Sequence, residues 1–372
     1  MDSGANFSEV NRMNKPQILC LSLFLCLPVF AYAQQPATAT GSAAQSEPAS
    51  APVAENSEGR IKLDVVVTDK PGKPVSGLEM KDFTLTDNKQ PAKILSFHAV
   101  DGTVQPADPP VEVILVIDTV NLPYLEVANA RQEIAKFLLQ NGGHLAQPVS
   151  IEVFTNQGLD SQSEPSTDGN ALAAQANQLD NRLRTLGSSA SGNGASERFR
   201  LSIQAMGSIV DSEAKKPGKK LLIWAGEGWP MLEVPNFQVT SKAQQQYFDA
   251  IVSMSTLLRE ARISVCSISQ SGNGMDTRRY EDFLKGVKST NDAGAPNLAL
   301  KVLAMQSGGR VLGPDNNLAG QINTCVQDAS EFYTLSFDPP RANKPNEYHD
   351  LKVQVGKPGL KAHTSTGYYN QP

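Results

Sequence analysis

The chain has 372 residues, 40% of them hydrophobic and 19% charged, with a formal net charge of −5. That length is enough for a large core and for more than one domain. The mild acidic balance, with no basic block anywhere, argues against nucleic acid and anionic membrane surfaces as partners.

Arg12 and Lys15 precede the apolar stretch Ile18 to Phe30, and Ala31-Tyr32-Ala33 follows it before Gln34. A positive region, a short apolar core and an Ala-x-Ala site predict a signal peptide over 1–33, cleaved after Ala33 and too short to span a bilayer. Its removal takes away Asp2 and Glu9 together with Arg12 and Lys15, two charges of each sign, so the mature charge stays at −5. The expectation is an exported protein, periplasmic or extracellular. Cys20 and Cys26 leave with the leader, which leaves Cys266 and Cys325 in a compartment that permits disulfides. Their apolar neighbours read as surroundings for two buried thiols.

Residues 34–59 are Ala, Ser, Pro, Thr and Gln with almost no large apolar side chain, which predicts a disordered spacer. From Arg60 the texture changes to alternation: Ile61, Leu63, Val65 and Val67 fall on one side of a strand that ends in the turn residues Asp69 to Gly72. Phe83 to Thr86, the Asp87-Asn88 turn and Lys93 to Phe97 extend a small β segment over 60–105, up to the Pro-rich break at Pro106 to Pro110. The wording Asp64-Val-Val-Val-Thr-Asp69, Val75-Ser-Gly-Leu78 and Asp82-Phe83 resembles the segment that precedes the α/β domain in secreted bacterial proteins of the acidobacterial VWFA-related family. A few short strands alone make a poor core, so this segment needs a partner.

The centre of the chain is Val111 to Leu122, an apolar run that ends in Asp118 and leads into a helical pattern. It reads as a strand buried on both faces of a parallel sheet, with Asp118 at the carboxyl end where α/β sheets bind ligands. Strand, Asp, short loop and amphipathic helix resemble the start of a von Willebrand factor type A (vWA) domain, whose metal loop reads Asp-x-Ser-x-Ser. Here the loop is Asp118-Thr119-Val120-Asn121-Leu122, so both Ser positions are apolar and cannot supply the hard oxygens that Mg2+ requires. The resemblance further implies a hydroxyl from a later loop, best matched by Ser196, and a carboxylate after a strand, best matched by Glu227. A degenerate metal site follows: no cofactor is expected, with Mg2+ or Mn2+ at Asp118, Ser196 and Glu227 as the rival. Without a metal, Asp118 caps the following helix or holds the loop. Trp229, in the Gly-flanked loop Gly226 to Pro230, has two roles open to it: an anchor for a protein partner, or a cover for the end of the sheet. Thr119 and Asn121 complete the candidate binding edge.

Strands and helices alternate over 110–330, which predicts a doubly wound sheet. Helical patterns fall at Tyr124 to Gln140, Ala171 to Leu186, Arg198 to Val210, Ser241 to Ala261, Glu281 to Val287, Leu298 to Gln306 and around Cys325. Strands are expected at Val149 to Thr155, Lys220 to Ala225, Ile263 to Ile268 and Arg310 to Leu312, with an antiparallel return at Leu159 to Ser163. The tail over 331–370 alternates again, at Phe332 to Asp338, His349 to Val355 and Leu360 to Tyr369. The expected fold class is therefore α/β: a vWA- or Rossmann-like sheet inserted in, or flanked by, an Ig-like β-sandwich built from both terminal segments.

His98, His144, His349 and His363 are scattered without metalloprotease spacing, and the sequence contains neither a Gly-x-Ser-x-Gly elbow nor a phosphate loop. The functional expectation is a secreted or envelope-associated, non-enzymatic module that binds a protein partner. A cation-dependent adhesin and an exported hydrolase are the alternatives.

Overall fold

The computed structural model describes residues 59–101, 107, 109–161, 164–178, 192–229, 240–270 and 280–372. The expected leader, nearly all of the spacer and the far end of the helix expected to run to Leu186 lie outside these residues.

The alternation after Arg60 forms β1 (Ile61–Thr68), with Ile61, Leu63, Val65 and Val67 buried. β2 (Phe83–Asp87) and β3 (Gln90–Ala92) form a hairpin through Asn88 and Lys89. Their φ values of 47° and 68° give the mirror-image turn that matches strand twist. β4 (Ser96–Asp101) closes this segment.

The apolar run forms β5 (Glu112–Asp118), buried along its whole length as a two-sided strand must be. It is followed by α1 (Tyr124–Leu138), β6 (His144–Thr155), β7 (Gly158–Ser161), β8 (Ser166–Asp168) and α2 (Gly169–Asn177), whose N-cap Asp168 accepts from Asn170 and Ala171. Then come α3 (Gly192–Glu213), β9 (Lys220–Ala225), α4 (Ser241–Glu260), β10 (Ile263–Ile268), α5 (Leu300–Gln306) and α6 (Leu318–Ser330). Thr240 caps α4 through its hydroxyl, 3.2 Å from the Ala243 N–H. The tail supplies β11 (Glu331–Phe337), β12 (Glu347–Val355), β13 (Lys361–His363) and β14 (Gly367–Asn370).

The fold is mixed α/β with several sheets. In the central one the order is β10-β9-β5-β6-β7; the first four strands are parallel, and β7 and β8 run antiparallel to β6. Leu115 and Ile117 face α1, α2 and α6 through Ile134, Leu172 and Ile322, whereas Ile114 and Val116 face α3, α4 and α5 through Met206, Ile251 and Leu303. Full burial of each such aliphatic side chain contributes about 1.5–3 kcal/mol, so the hydrophobic payload is divided between both faces.

The strands from the two ends of the chain form two further four-stranded sheets, β13-β1-β11-β4 and β14-β12-β2-β3. β1 pairs with β11 from Ile61↔Phe337 to Val65↔Tyr333, and β2 pairs with β12 from Phe83↔Val355 to Asp87↔Leu351. Leu63, Val65, Leu335 and Phe337 from one sheet share a core with Phe83, Leu85, Val353 and Tyr368 from the other. Each end thus covers the apolar face that the other would expose.

Charged groups join these sheets to the amino-terminal end of the parallel strands. Asp64 on β1 pairs with Arg262, Arg310, itself paired with Asp328 on α6, donates to the Gly72 carbonyl at 3.0 Å, and the Lys219 ammonium sits 4.0 Å from the centroid of Phe332. Burial pushes the Lys219 ammonium below the usual lysine range.

Three expectations change. Residues 282–287 are turns and bends instead of a helix. A Cβ on Gly286 would lie 1.8 Å from the Tyr348 ring, and the Val287 carbonyl accepts from Tyr369 at 3.1 Å, so this stretch is shaped by the tail packed against it. The strand expected at Arg310 to Leu312 is a single parallel bridge, Ser267↔Val311. Cys266 on β10 and Cys325 on α6 are joined in a disulfide with Cα atoms 6.4 Å apart, instead of lying as two separate thiols. Their shared apolar environment gives no sign of pairing in one dimension, because it is the helix crossing over the sheet that brings them together. Among the described residues, no helix is long and apolar enough to cross a membrane.

Candidate functional site

Asp118 ends β5, and its carboxylate is 0% exposed. Oδ1 accepts from the backbone N–H groups of Val120 and Asn121, both at 2.9 Å. Oδ2 accepts from Asn121 Nδ2 at 2.8 Å and from the Trp224 indole Nε1 at 2.9 Å. Burial pushes this carboxyl above its usual range, opposed by the hydrogen bonds from Asn121, Trp224 and Val120. The carboxylate folds the loop back on itself and ties it to β9.

The rest of the loop is held as well, except that Asn121 Oδ1 is buried without a hydrogen-bond partner among the described residues. Thr119 donates its hydroxyl and its N–H to the Phe154 carbonyl, at 2.7 and 2.9 Å, which fixes it to β6 and turns it away from the edge. Val120 and Leu122, where the vWA pattern has hydroxyls, are buried in the cores on opposite faces of the sheet. Asn121 Nδ2 also donates to Ser202 Oγ at 3.1 Å, and Ser202 donates on to the Arg198 carbonyl at 2.7 Å. A Cβ on Gly226 would lie 3.3 Å from the Asp118 Cβ, so the loop after β9 closes tightly over the carboxylate.

Ser196 lies exposed near the start of α3, and Glu227 is half-buried in the loop after β9. Neither is among the four donors and acceptors that the structure places around Asp118 and Asn121, namely Val120, Asn121, Trp224 and Ser202. Among the described residues no three His, Cys, Asp or Glu side chains are grouped to hold a metal ion. The oxygens that a cation would use on Asp118 are occupied by N–H donors, which does not fit a Mg2+ or Mn2+ site.

Trp229 is 4% exposed and donates its Nε1–H to the Leu298 carbonyl at 2.8 Å. Its ring meets Trp224 edge-on at 5.4 Å, and Trp224 meets Phe154 at 5.6 Å. The indole is thus buried against the chain instead of standing exposed at the edge. Gly228, at φ 83°, adopts the backbone that brings it there, and a Cβ at that position would lie 2.8 Å from the Leu300 Cβ.

The sequence reading missed Trp224 and Ser202 as partners of the loop. Both carried a signal: Trp224 stands next to last in a buried strand, level with Val116 on β5, and Ser202 interrupts the apolar stripe Phe199, Met206 and Ile209 of α3. It also overlooked the first turn of α1. There Tyr124 and Leu125 are 54% and 79% exposed, immediately beyond the loop that Asp118 pins.

No family model matches the chain, and no curated protein matches it. Among solved structures, the human COPII-coat protein Sec24c aligns with 72% of this chain and 44% of its own at 9% identity and a TM-score of 0.31, so the chain spans less than half of it. The conserved hypothetical protein BatB from Bacteroides thetaiotaomicron aligns with 59% of this chain and 98% of its own at 14% identity and a TM-score of 0.30. Likenesses at this level carry no argument about what the present chain does.

Proposed function

We propose that this is a protein-binding module of the vWA-like kind, secreted or envelope-associated and non-enzymatic, in which an Ig-like pair of sheets from both chain ends carries the doubly wound domain. The observation that carries the proposal is the exposed pair Tyr124 and Leu125 on the first turn of α1, beside a loop held rigid by Asp118. Large apolar side chains on a preorganised edge give partners an anchor at low entropic cost. The sheet order, with an antiparallel strand beyond β6, supports the vWA-like comparison. The occupied Asp118 oxygens support binding without a cation and weigh against the adhesin alternative.

The test is capture of partners from an envelope extract by immobilised mature protein, by Tyr124→Ala and Leu125→Glu variants, and in the presence of chelator. Loss of a specific captured protein with either variant, unchanged by chelator, is the expected result. Capture that depends on Mg2+ or Mn2+ and ignores both substitutions would instead support the adhesin. Turnover in a hydrolase screen would overturn the non-enzymatic reading.

A further inference from the structure

At the opposite end of the parallel strands, the start of β5 and the end of α3 meet in a cluster of carboxylates. Glu112 and Glu213 share one ammonium: Lys216 Nζ lies 3.3 Å from both Glu112 oxygens and 2.8 Å from Glu213 Oε1. Ser150 donates to Glu112 Oε1 at 3.1 Å. Glu152 on β6 stands in the same field and accepts from Ser161 at 2.9 and 2.8 Å. Glu213 is buried, and its Oε2 has no hydrogen-bond partner. The other charges that act on the cluster are Asp160 on β7, Lys220 on β9 and, through Lys220, Arg262. Lys220 spends its ammonium on the carbonyls of Lys216 and Ala261, leaving Lys216 as the cation bonded to the carboxylates.

An isolated carboxylate oxygen buried among other carboxylates is costly unless it finds a donor. A proton on Glu112 removes the excess negative charge beside it, leaving the shared Lys216 ammonium to the Glu213 carboxylate. We propose that Glu112 and Glu213, bridged by Lys216, form a proton-operated clamp, which holds the end of α3 on the sheet while one proton is bound and loosens it when that proton leaves. The consequence reaches the candidate edge, because α3 also carries Ser202, the hydroxyl that holds Asn121. Burial and the Glu213 charge both push the Glu112 carboxyl up, and burial pushes up Glu152. A folded value above the unfolded one means that the stabilisation is complete below the unfolded value and is lost as pH rises through the folded value.

The readout is hydrogen exchange of the amides that close the end of α3, those of Ala214 to Lys216, which bond back to Val210, Ser212 and Glu213. Protection, corrected for intrinsic exchange, is expected to fall by up to about tenfold per pH unit, the slope for one proton, as pH rises from the unfolded to the folded value, and to level off above that transition. Glu213→Gln is expected to flatten that dependence, while Lys216→Met, which removes the neutralising ammonium, is expected to move the transition to higher pH. Wild-type protection independent of pH between 5 and 9 would overturn the clamp, as would a Glu213→Gln profile with the wild-type slope. Should Glu213→Gln not fold, the direction of the Lys216→Met shift decides alone: a transition that stays in place or moves down overturns the proposal.

Discussion

Asp118→Asn keeps the shape of the side chain and replaces one of its two acceptors by a donor. Asp118 receives four N–H groups, two on each oxygen. An amide in the same place can satisfy two of them and turns its own N–H groups toward the other two. Each charge-assisted hydrogen bond contributes about 1.5–3 kcal/mol, so losing two costs roughly 3–6 kcal/mol. Relief from burying a charge without a counter-ion offsets part of this, and the expected net loss is about 2–4 kcal/mol at neutral pH. Urea unfolding followed by tryptophan fluorescence measures it directly, because the chain has 2 Trp residues and both stand at this edge. A loss below about 1 kcal/mol would refute the loop-pinning role. A loss restored by millimolar Mg2+ would refute it too, since N–H donors and a cation cannot share those oxygens.

Further outcomes are open to measurement. The melting temperature of wild-type protein is expected to be the same in millimolar Mg2+, in Mn2+ and in chelator; a rise with either ion that chelator reverses would restore the metal site. Reducing the Cys266–Cys325 bond, with a sequence separation of 59, is expected to cost about 4 kcal/mol on the loop-entropy account, read as equal shifts in reductant and in Cys325→Ser. Identical melting of oxidised and reduced protein would contradict this. Gly286→Ala drives a methyl into the Tyr348 ring and is expected to cost about 1–3 kcal/mol, with loosening concentrated in β12 and β14 by hydrogen exchange. Leu125→Glu, by contrast, is expected to leave stability within about 0.5 kcal/mol; a larger loss would mean that this side chain packs against something.

The pattern that was readable in one dimension belonged to elements whose burial is periodic. Lys220 to Ala225 is a strand because six residues in a row are apolar or carry long aliphatic stems, and it is buried throughout. Ser241 to Glu260 is a helix because Thr240 caps it and Phe248, Ile251, Met254 and Leu258 repeat at helical spacing. The mutual cover of the two ends was also foreseeable, since β1 and β11 each show one apolar face. Elements held by distant packing were not. Residues 282–287 have helical spacing, yet Tyr348 and Tyr369 set their course from more than sixty positions away. At the candidate edge, Asp118 stood out through its position at the end of an apolar run, and the lost hydroxyls argued for its metal-free role. The partners of Asp118 and Asn121 were invisible, because Trp224 and Ser202 come from a strand and a helix that only the fold brings to the loop.

The ends of the chain enter and leave through the same pair of sheets, and this sets how the molecule bears load. Tension applied between Arg60 and the first turn of α1 must pass from β1 into the parallel sheet. The route crosses Asp64–Arg262 and the Arg310–Gly72 hydrogen bond, with α6 continuing directly into β11 as a stiff strut. The Cys266–Cys325 bond rivets that strut to β10. Noncovalent contacts at the seam would give way before the strut separates from the sheet, so under force the molecule has a defined weak plane, at the end of the parallel strands opposite Asp118.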